Sequence, residues 1–472
     1  MKRMKKILTF LSISILAAMQ LNAQQCEVKF DLNYNTTEQV EPLSVKQGCA
    51  LPLDKKPMPQ REGYRFAGWY TSKEGKAQEE WLFGKKIGAM GAFMNLPNDS
   101  MKVEQPMTLY ARWIAPTHIK DAEGLNRMRD DLHGWFVLDN DIDLAGMDDW
   151  EQVGVYEADY EWAEGEWWKQ AFKGKLDGQG HAIRNLKFTK ATSEKKAIFG
   201  SMMNGEICNL VIDSPVVDIS TTSMYVAPLV GIMKQGGNEV NDISNVQVKD
   251  ARYKVNLNNT EGAFSAVTFI TAGAWNGTLA NCSVQGEMDI TFSGTGGGQF
   301  YVGGIAGENY SEMSDCVTDV KINIHFAAPE AAKDFSVYVG GLAASATNVK
   351  NCSSSGSIHI DGNPLTEQFY VGGLVGSERY GEIANNSAKM QITLNGMPKA
   401  QVGGIVGEFN PTFGGVGAAL GIKKTSVHDC QAEVEVKADP SVALTYGRIS
   451  GAGQPEPLKA WGGQMEYEVS EP

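Results

Sequence analysis

The sequence is poor in the residues from which metal and redox sites are built. Its histidines are His118, His133, His181, His325, His359 and His428, and none stands in an HExxH arrangement. That spacing puts two imidazoles one helical turn apart beside a glutamate base, so zinc peptidase chemistry of this kind is excluded. The cysteines, Cys26, Cys49, Cys208, Cys282, Cys316, Cys352 and Cys430, include no CxxC pair. A zinc ribbon and a thioredoxin-like site are therefore excluded too. Their odd number rules out a complete intramolecular disulfide framework. Cations are scarce as well: 42 Lys and Arg stand against 56 Asp and Glu, a formal net charge of −14. A surface of that sign repels nucleic acid and anionic lipid. Beyond the N-terminus no stretch is apolar enough for a transmembrane helix, which takes about 20 residues. Nothing in this composition implies a cofactor.

The N-terminus does carry an apolar run. Lys2, Arg3, Lys5 and Lys6 precede Ile7–Met19, and Leu21-Asn22-Ala23 offers a small residue for cleavage before Gln24. Residues 1–23 read as a secretory signal peptide whose apolar core is too short to span a bilayer. Gln25 before Cys26 replaces the small residue that lipidation needs. Tyr467–Pro472 carries neither a hydrophobic tail nor a basic stop. The expectation is an exported protein, extracellular or on the cell surface, with the periplasm equally compatible.

Residues 24–115 read as one small β domain. Val28 and Phe30 alternate with Glu27, Lys29 and Asp31, as in a half-buried strand. Tyr64, Phe66 and Trp69 alternate around Gly68, and Met107–Trp113 alternates again. A small domain needs such large side chains for its core. Gly63-Tyr64-x-Phe66-x-Gly68-Trp69-Tyr70 followed by Leu109-Tyr110-Ala111-Arg112-Trp113 resembles the internalin-type B-repeat (InlB B-repeat), a β-grasp-like module of bacterial surface proteins. That resemblance implies a spacer or a partner-binding module, and the insert between Phe83 and Met107 departs from it. Cys26 and Cys49 lie where a disulfide can form, and the sequence leaves that open.

The rest is repetitive. Tyr301-Val302-Gly303-Gly304-Ile305-Ala306-Gly307 returns as Tyr338-Val339-Gly340-Gly341-Leu342, as Tyr370-Val371-Gly372-Gly373-Leu374-Val375-Gly376 and as Gln401-Val402-Gly403-Gly404-Ile405-Val406-Gly407. A degraded copy starts at Tyr225. In phase with it run Asn209, Asn245, Asn281, Asp315, Asn351, Asn385 and Asp429, spaced by 34 to 36 residues and by 44 at the last step. An alternating strand follows each, such as Val320-x-Ile322-x-Ile324-x-Phe326. Three markers at one period predict the rungs of a solenoid, each burying its strands by stacking on the next. The pattern resembles the GLUG-motif repeat, whose core stands here as Gly373-Leu374-Val375-Gly376. Phe172–Leu186 and Trp135–Leu144 look like its first rung and cap. The fold class expected is all-β: a right-handed parallel β-helix over 171–472, capped by 116–170, after the β-grasp-like domain. GLUG repeats occur in bacterial cell-surface proteins and adhesins, and beside the catalytic part of some immunoglobulin-A-cleaving metallopeptidases.

Candidate chemistry is sparse. Trp150, Tyr156, Tyr160, Trp162, Trp167 and Trp168 stand among Glu151, Glu157, Asp159, Glu161, Glu164 and Glu166. Such a segment suits stacking on sugars with hydrogen bonds to hydroxyls, or else an elongated hairpin that caps the first rung. Asp139, Asp141 and Asp143 alternate along a capping strand and make a poor calcium loop. His181 reads as a turn residue. His325 and His359, one period apart, read as one column on a solvated face. Cys282, Cys316, Cys352 and Cys430 share a position with Leu210 and Val246, so they read as buried free thiols, with Asn386 as an exception. The functional expectation is a non-catalytic adhesion or binding protein that recognises an extracellular glycan or a host or matrix protein. The alternatives are a polysaccharide-acting β-helix enzyme, or a detached relative of the repeats flanking those metallopeptidases.

Overall fold

The computed structural model describes residues 24–469 except 77–78, 85–100, 148, 155–169, 191–194, 222–224, 235–240, 259–262, 276, 294–297, 328–334, 363, 365, 367, 380, 410–425 and 453–464. Contacts divide the chain into two units, Met1–Pro116 and Thr117–Pro472.

In the first unit, β1 (Gln25–Asp31), β2 (Val40–Lys46), β3 (Arg65–Tyr70) and β4 (Met107–Ile114) form one mixed sheet. β1 runs antiparallel to β2 and parallel to β4, and β3 closes the far edge antiparallel to β4. The alternating aromatics build the core. Trp69 is fully buried, with Phe30 4.7 Å and Phe66 5.4 Å from it by ring centroids. The two indoles keep their polar handles satisfied: Trp69 Nε1 donates to the Pro57 carbonyl and Trp113 Nε1 to that of Leu32. Cys26 and Cys49 are both free thiols; Cys26 is buried and Cys49 exposed.

The second unit is a parallel β-helix. One rung consists of β5 (Gly298–Gly303), β6 (Ala306–Ser314) and β7 (Val317–Phe326). The next consists of β8 (Phe335–Gly340), β9 (Ala343–Lys350) and β10 (Ser353–Gly362). Each strand pairs in parallel with its counterpart one rung on: Val302 with Val339, Ala306 with Ala343, Ile322 with Ile358. Like residues thus stack in columns, and Met288, Ile322, Ile358, Ile392 and Val436 form one of them. Each such side chain contributes roughly 1.5–3 kcal/mol by leaving water.

The corner between β6 and β7 explains the Asn and Asp marker. Asn209, Asn245, Asn281, Asp315, Asn351, Asn385 and Asp429 all have φ between 52° and 58°. This left-handed backbone is costly for most residues and easiest for Gly, Asn and Asp. The side chains also link the rungs, with Asn245 Nδ2 donating to Asn209 Oδ1 at 2.9 Å and Asn351 Nδ2 to Asp315 Oδ1 at 3.2 Å. Asn385 and Asp429 keep the phase across the longest spacing.

The N-terminal end of the stack is closed by a short helix, Ala122–Asn126, and the one-turn 3-10 segment after it, which bury Leu125 and Met128 in the main core. The Asp121 carboxylate caps the helix by accepting from Gly124 N. Trp135–Leu138 then pairs with Lys175–Asp177 as part of the first rung.

The histidine column differs from the sequence reading. Those two strands are offset by 36 residues rather than 34, so His325 pairs with Asp361 and with Thr291, and His359 pairs with Asn323 and Thr393. His325 meets the Asp361 carboxylate at 2.8 Å on an exposed face.

Candidate functional site

The residues singled out from sequence divide sharply. Trp150 is buried at 6% exposure, its indole donating to the Ile198 carbonyl at 3.2 Å, so it packs in the core and offers no stacking face. Its burial fits the capping side of the reading, because the Arg129 guanidinium that lies over it is itself tied to Glu151. Tyr156, Tyr160, Trp162, Trp167 and Trp168 lie outside the described residues.

The alternating aspartates are spoken for one at a time. Asp139 meets His118 and Lys120, Asp141 accepts from Ala182 N and meets Arg184, and Asp143 accepts from Asn185 and Ala145 N. Each carboxylate is held below its usual pKa by those partners, led by the His118, Ala182 and Asn185 hydrogen bonds respectively. Asp177 accepts from Gln179 N and Asn209 Nδ2, which makes it a turn residue. His181 lies 3.4 Å from Asp141. Among the described residues no group of three or more His, Cys, Asp or Glu side chains converges as a metal site would.

A different set of side chains does converge. It sits where β5 turns into β6. Phe300 and Val302 face the main core, so the alternation sends Tyr301 to the opposite side. The same holds for Tyr338 and Tyr370. On the other arm of the corner Ala306 and Ala343 face the main core, while Ala344 joins the tyrosines. The bend is re-entrant, and its two arms press together. A Cβ on Gly376 would stand 2.8 Å from Val339 N, and one on Gly407 2.7 Å from Val371 N. Glycine is needed there because backbone approaches backbone.

Within this corner the tyrosine rings stack, 5.1 Å from Tyr301 to Tyr338 and 5.5 Å from Tyr338 to Tyr370, nearly parallel at 16° and 14°. Facing them is a polar column in which Glu308, Ser345, Ser377 and Glu408 pair in succession. Glu308 accepts from Trp275 Nε1 at 3.0 Å and from the Tyr310 hydroxyl at 3.1 Å. Burial raises its pKa against the Tyr310 bond, the charge of Arg379 and the Trp275 bond. Ser377 donates to Glu408 at 2.8 Å. Burial likewise raises the phenols of Tyr301, Tyr338 and Tyr370, which stay protonated and able both to donate and to accept.

Arg379 crosses this array. It leaves the chain just after Val375–Glu378, in the rung of Tyr370, and reaches back two rungs. Its guanidinium lies over the Tyr338 ring at 5.2 Å, and Nη2 donates to the Tyr301 hydroxyl at 3.4 Å. Sequence reasoning used the tyrosines only as markers of the repeat. The available signal was parity, since a tyrosine between two core residues must face away from the core. Arg379 had a weaker one: it breaks a column whose earlier members are Tyr310 and Thr347.

Comparison with known families gives a match within the first unit. Residues 27–94 match the Listeria-Bacteroides repeat domain. The match spans most of β1, all of β2 and the aromatic strand β3, and fits a β-rich, repeat-bearing protein. Among solved structures, a crystal structure titled "putative immunoglobulin A1 protease" from Bacteroides ovatus is similar at 19% identity and a TM-score of 0.38, covering 75% of this chain and 84% of that one. No curated protein matches the chain. The repeat domain fits a cell-surface protein, and no helix among the described residues is long and apolar enough to cross a membrane.

Proposed function

We propose that this is an exported, non-catalytic binding protein of the bacterial exterior whose β-helix recognises an extracellular glycan. The observation that carries the reading is the part-exposed edge of the re-entrant corner, where the Trp275 indole, the Glu308 carboxylate, the Tyr310 hydroxyl and the Arg379 guanidinium lie on a β-helical frame. Those groups complement sugar hydroxyls, and a polar set placed on an apolar frame is how small-molecule sites gain orientation. The Listeria-Bacteroides repeat domain supports the location, and Lys2–Ala23 supports export.

The spacing of the acids favours binding over hydrolysis. Glu308 and Glu408 are three strands apart in one column, which at about 4.8 Å per strand is roughly 14 Å. Paired carboxylates that cleave glycosidic bonds stand about 5–9.5 Å apart.

The test is an array of glycans and of host and matrix proteins probed with the full-length protein, with parallel assays for released sugar. Retention of a glycan without turnover supports the reading. Release of reducing ends supports a polysaccharide-acting enzyme, and retention only of a protein supports a protein-directed adhesin. The 150–170 segment is tested beside the corner. Alanine at Trp162, Trp167 and Trp168 abolishes glycan retention at unchanged melting temperature if that segment is a sugar platform. The same change lowers the melting temperature and spares retention if it is a cap.

A further inference from the structure

We propose that a recess on the long strands of the β-helix holds a stretch of a neutral polysaccharide chain, its hydroxyls bound by Arg252, Glu287 and Lys321 on one wall and by Asp250, Gln285 and Asp319 on the other. The inference takes its ligand class from the glycan-binding reading above and adds a site separate from the edge at Trp275 and Arg379.

The first observation is a dent in the stack. Strands Asn241–Leu257, Ser283–Phe292 and β7 pair in parallel, and Ala251, Gly286 and Val320 form one column across them. There the backbone sinks toward the core. Asp250 stands at φ 49°, and the register shifts between Val248 and Ala251. A Cβ on Gly286 would lie 2.8 Å from the Ala251 Cβ and 2.9 Å from the Phe269 ring. A bulge of this kind bends a strand and re-aims the side chains beside it. Residues on either side of an inward position point outward, so the flanking side chains rise as two walls. They enclose a recess of about 250 Å³.

The second observation is independent. Arg252, Glu287 and Lys321 are cross-strand neighbours of alternating sign, and all three are exposed. Among the described residues none of the three makes an ion pair or a side-chain hydrogen bond. Neighbours in the same relation do close elsewhere on the stack, Lys175 with Glu206 at 2.6 Å and Lys389 with Glu433 at 3.4 Å. On the facing wall Asp319 accepts from Ser355 Oγ at 3.4 Å. The recess therefore presents open donors and acceptors along two strand spacings, roughly 10 Å.

Size, charge and edges select the ligand. Sites that enclose a small molecule measure about 300–1,000 Å³, so this smaller recess grips part of a longer chain. Asp250, Glu287 and Asp319 stand against Arg252 and Lys321, a net charge of 2 − 3 = −1 in a chain of −14, and polyanions are repelled. The walls are polar, and Ala251, Gly286 and Val320 alone line the floor, so an amphipathic helix or a lipid finds no apolar face. A peptide strand finds no free edge, because each of these strands is paired on both sides. A neutral sugar chain offers hydroxyls that both donate and accept, which is what the two walls can satisfy.

The test titrates the full-length protein with cellohexaose, mannohexaose and xylohexaose, with their monosaccharides, with polygalacturonate and with a peptide of alternating Lys and Glu. One neutral hexaose is expected to bind at least about tenfold tighter than its monosaccharide. Glu287→Ala and Lys321→Met are each expected to weaken that binding by about tenfold, the scale of one hydrogen bond to a charged group. Neither should lower the melting temperature, which is the readout that a structural role would move. Hexaose affinity unchanged in both variants, a monosaccharide that binds as tightly, or binding of polygalacturonate or the peptide in place of the hexaoses overturns this inference. Failure of all three hexaoses overturns it too. The earlier reading stands in each case where any glycan is retained, and falls only if the glycan array is blank as well.

Discussion

The backbone N–H of Cys352 donates to Asn386 Oδ1 in the next rung at 2.7 Å, and Asn386 Nδ2 donates to the Val349 carbonyl at 2.9 Å. The cysteine column follows the same logic, because Cys316 N points at Cys352 Sγ at 3.4 Å. From Cys352 onward in this column, and at Cys316 beneath it, the side chain after the left-handed corner accepts from the amide one rung back, where Leu210 and Val246 on the earlier rungs only fill the space. That accounts for Asn386 among the cysteines. Asn386→Leu, which removes both bonds inside the core, should destabilise the protein by about 2–4 kcal/mol in denaturant melts. Asn386→Cys should cost much less.

The thiols are expected to be free and shielded. Cys26, Cys208, Cys282, Cys316, Cys352 and Cys430 are buried, and Cys49 alone is exposed. Burial pushes the Cys208 thiol up to about 12 and raises that of Cys430, which suppresses the reactive thiolate. A thiol reagent should label Cys49 in the native protein and the other six only after denaturation. A mass-detected bridge between Cys282 and Cys316, or between Cys316 and Cys352, would refute this.

The glycines of the re-entrant corner are not interchangeable with loop glycines. A Cβ on Gly372 would collide with the Val375 carbonyl, while one on Gly146 would meet nothing within 4 Å. Gly372→Ala should prevent folding or cost more than about 4 kcal/mol, because backbone has to move. Gly146→Ala should change stability by no more than about 1 kcal/mol, in either direction.

Trp150→Ala should lower stability by about 3–5 kcal/mol, as expected for a large side chain packed between Arg129 and the Ile198 carbonyl. A melting temperature unchanged by the substitution would return Trp150 to the surface.

His428 supplies a pH signature. Its Nδ1 lies 2.7 Å from Asp429 and its Nε2 2.9 Å from Glu382, and these bonds raise its pKa above the ordinary 6.5, with Asp429 first and Glu382 second. A pKa raised on folding adds stability that is complete below the unfolded value and is lost as pH climbs through the folded one. Glu382 is held low by Lys350 and His428 and stays charged throughout. The stability gap between wild type and His428→Gln should therefore be widest near pH 6 and shrink toward pH 9. A gap that widens with pH would show the sign to be wrong.

The architecture was legible because its cause is local and repeated. A left-handed corner needs Asn or Asp, a pressed corner needs Gly, and a one-sided strand needs alternation, so each rung writes the same three marks. Register was harder to read. A column of His325 with His359 follows from a spacing of 34, and the strands there are offset by 36, the spacing of the Asp315 and Asn351 corners that precede them. The candidate site was hardest, since Arg379 gathers its neighbours from rungs up to two away and no short motif records such a reach.

That reach has a consequence for length. Removing residues 317–352 would join Cys316 to Ser353, which already occupies the register of Val317. Met288 would then meet Ile358 and Ile290 would meet Ile360, with no seam in either column. The stack tolerates whole-number edits of this kind, so its span can change in steps of one strand spacing. The corner does not share that indifference: Tyr338 and Ser345 would go with the excised rung, and Arg379 would find Tyr301 one strand away instead of two.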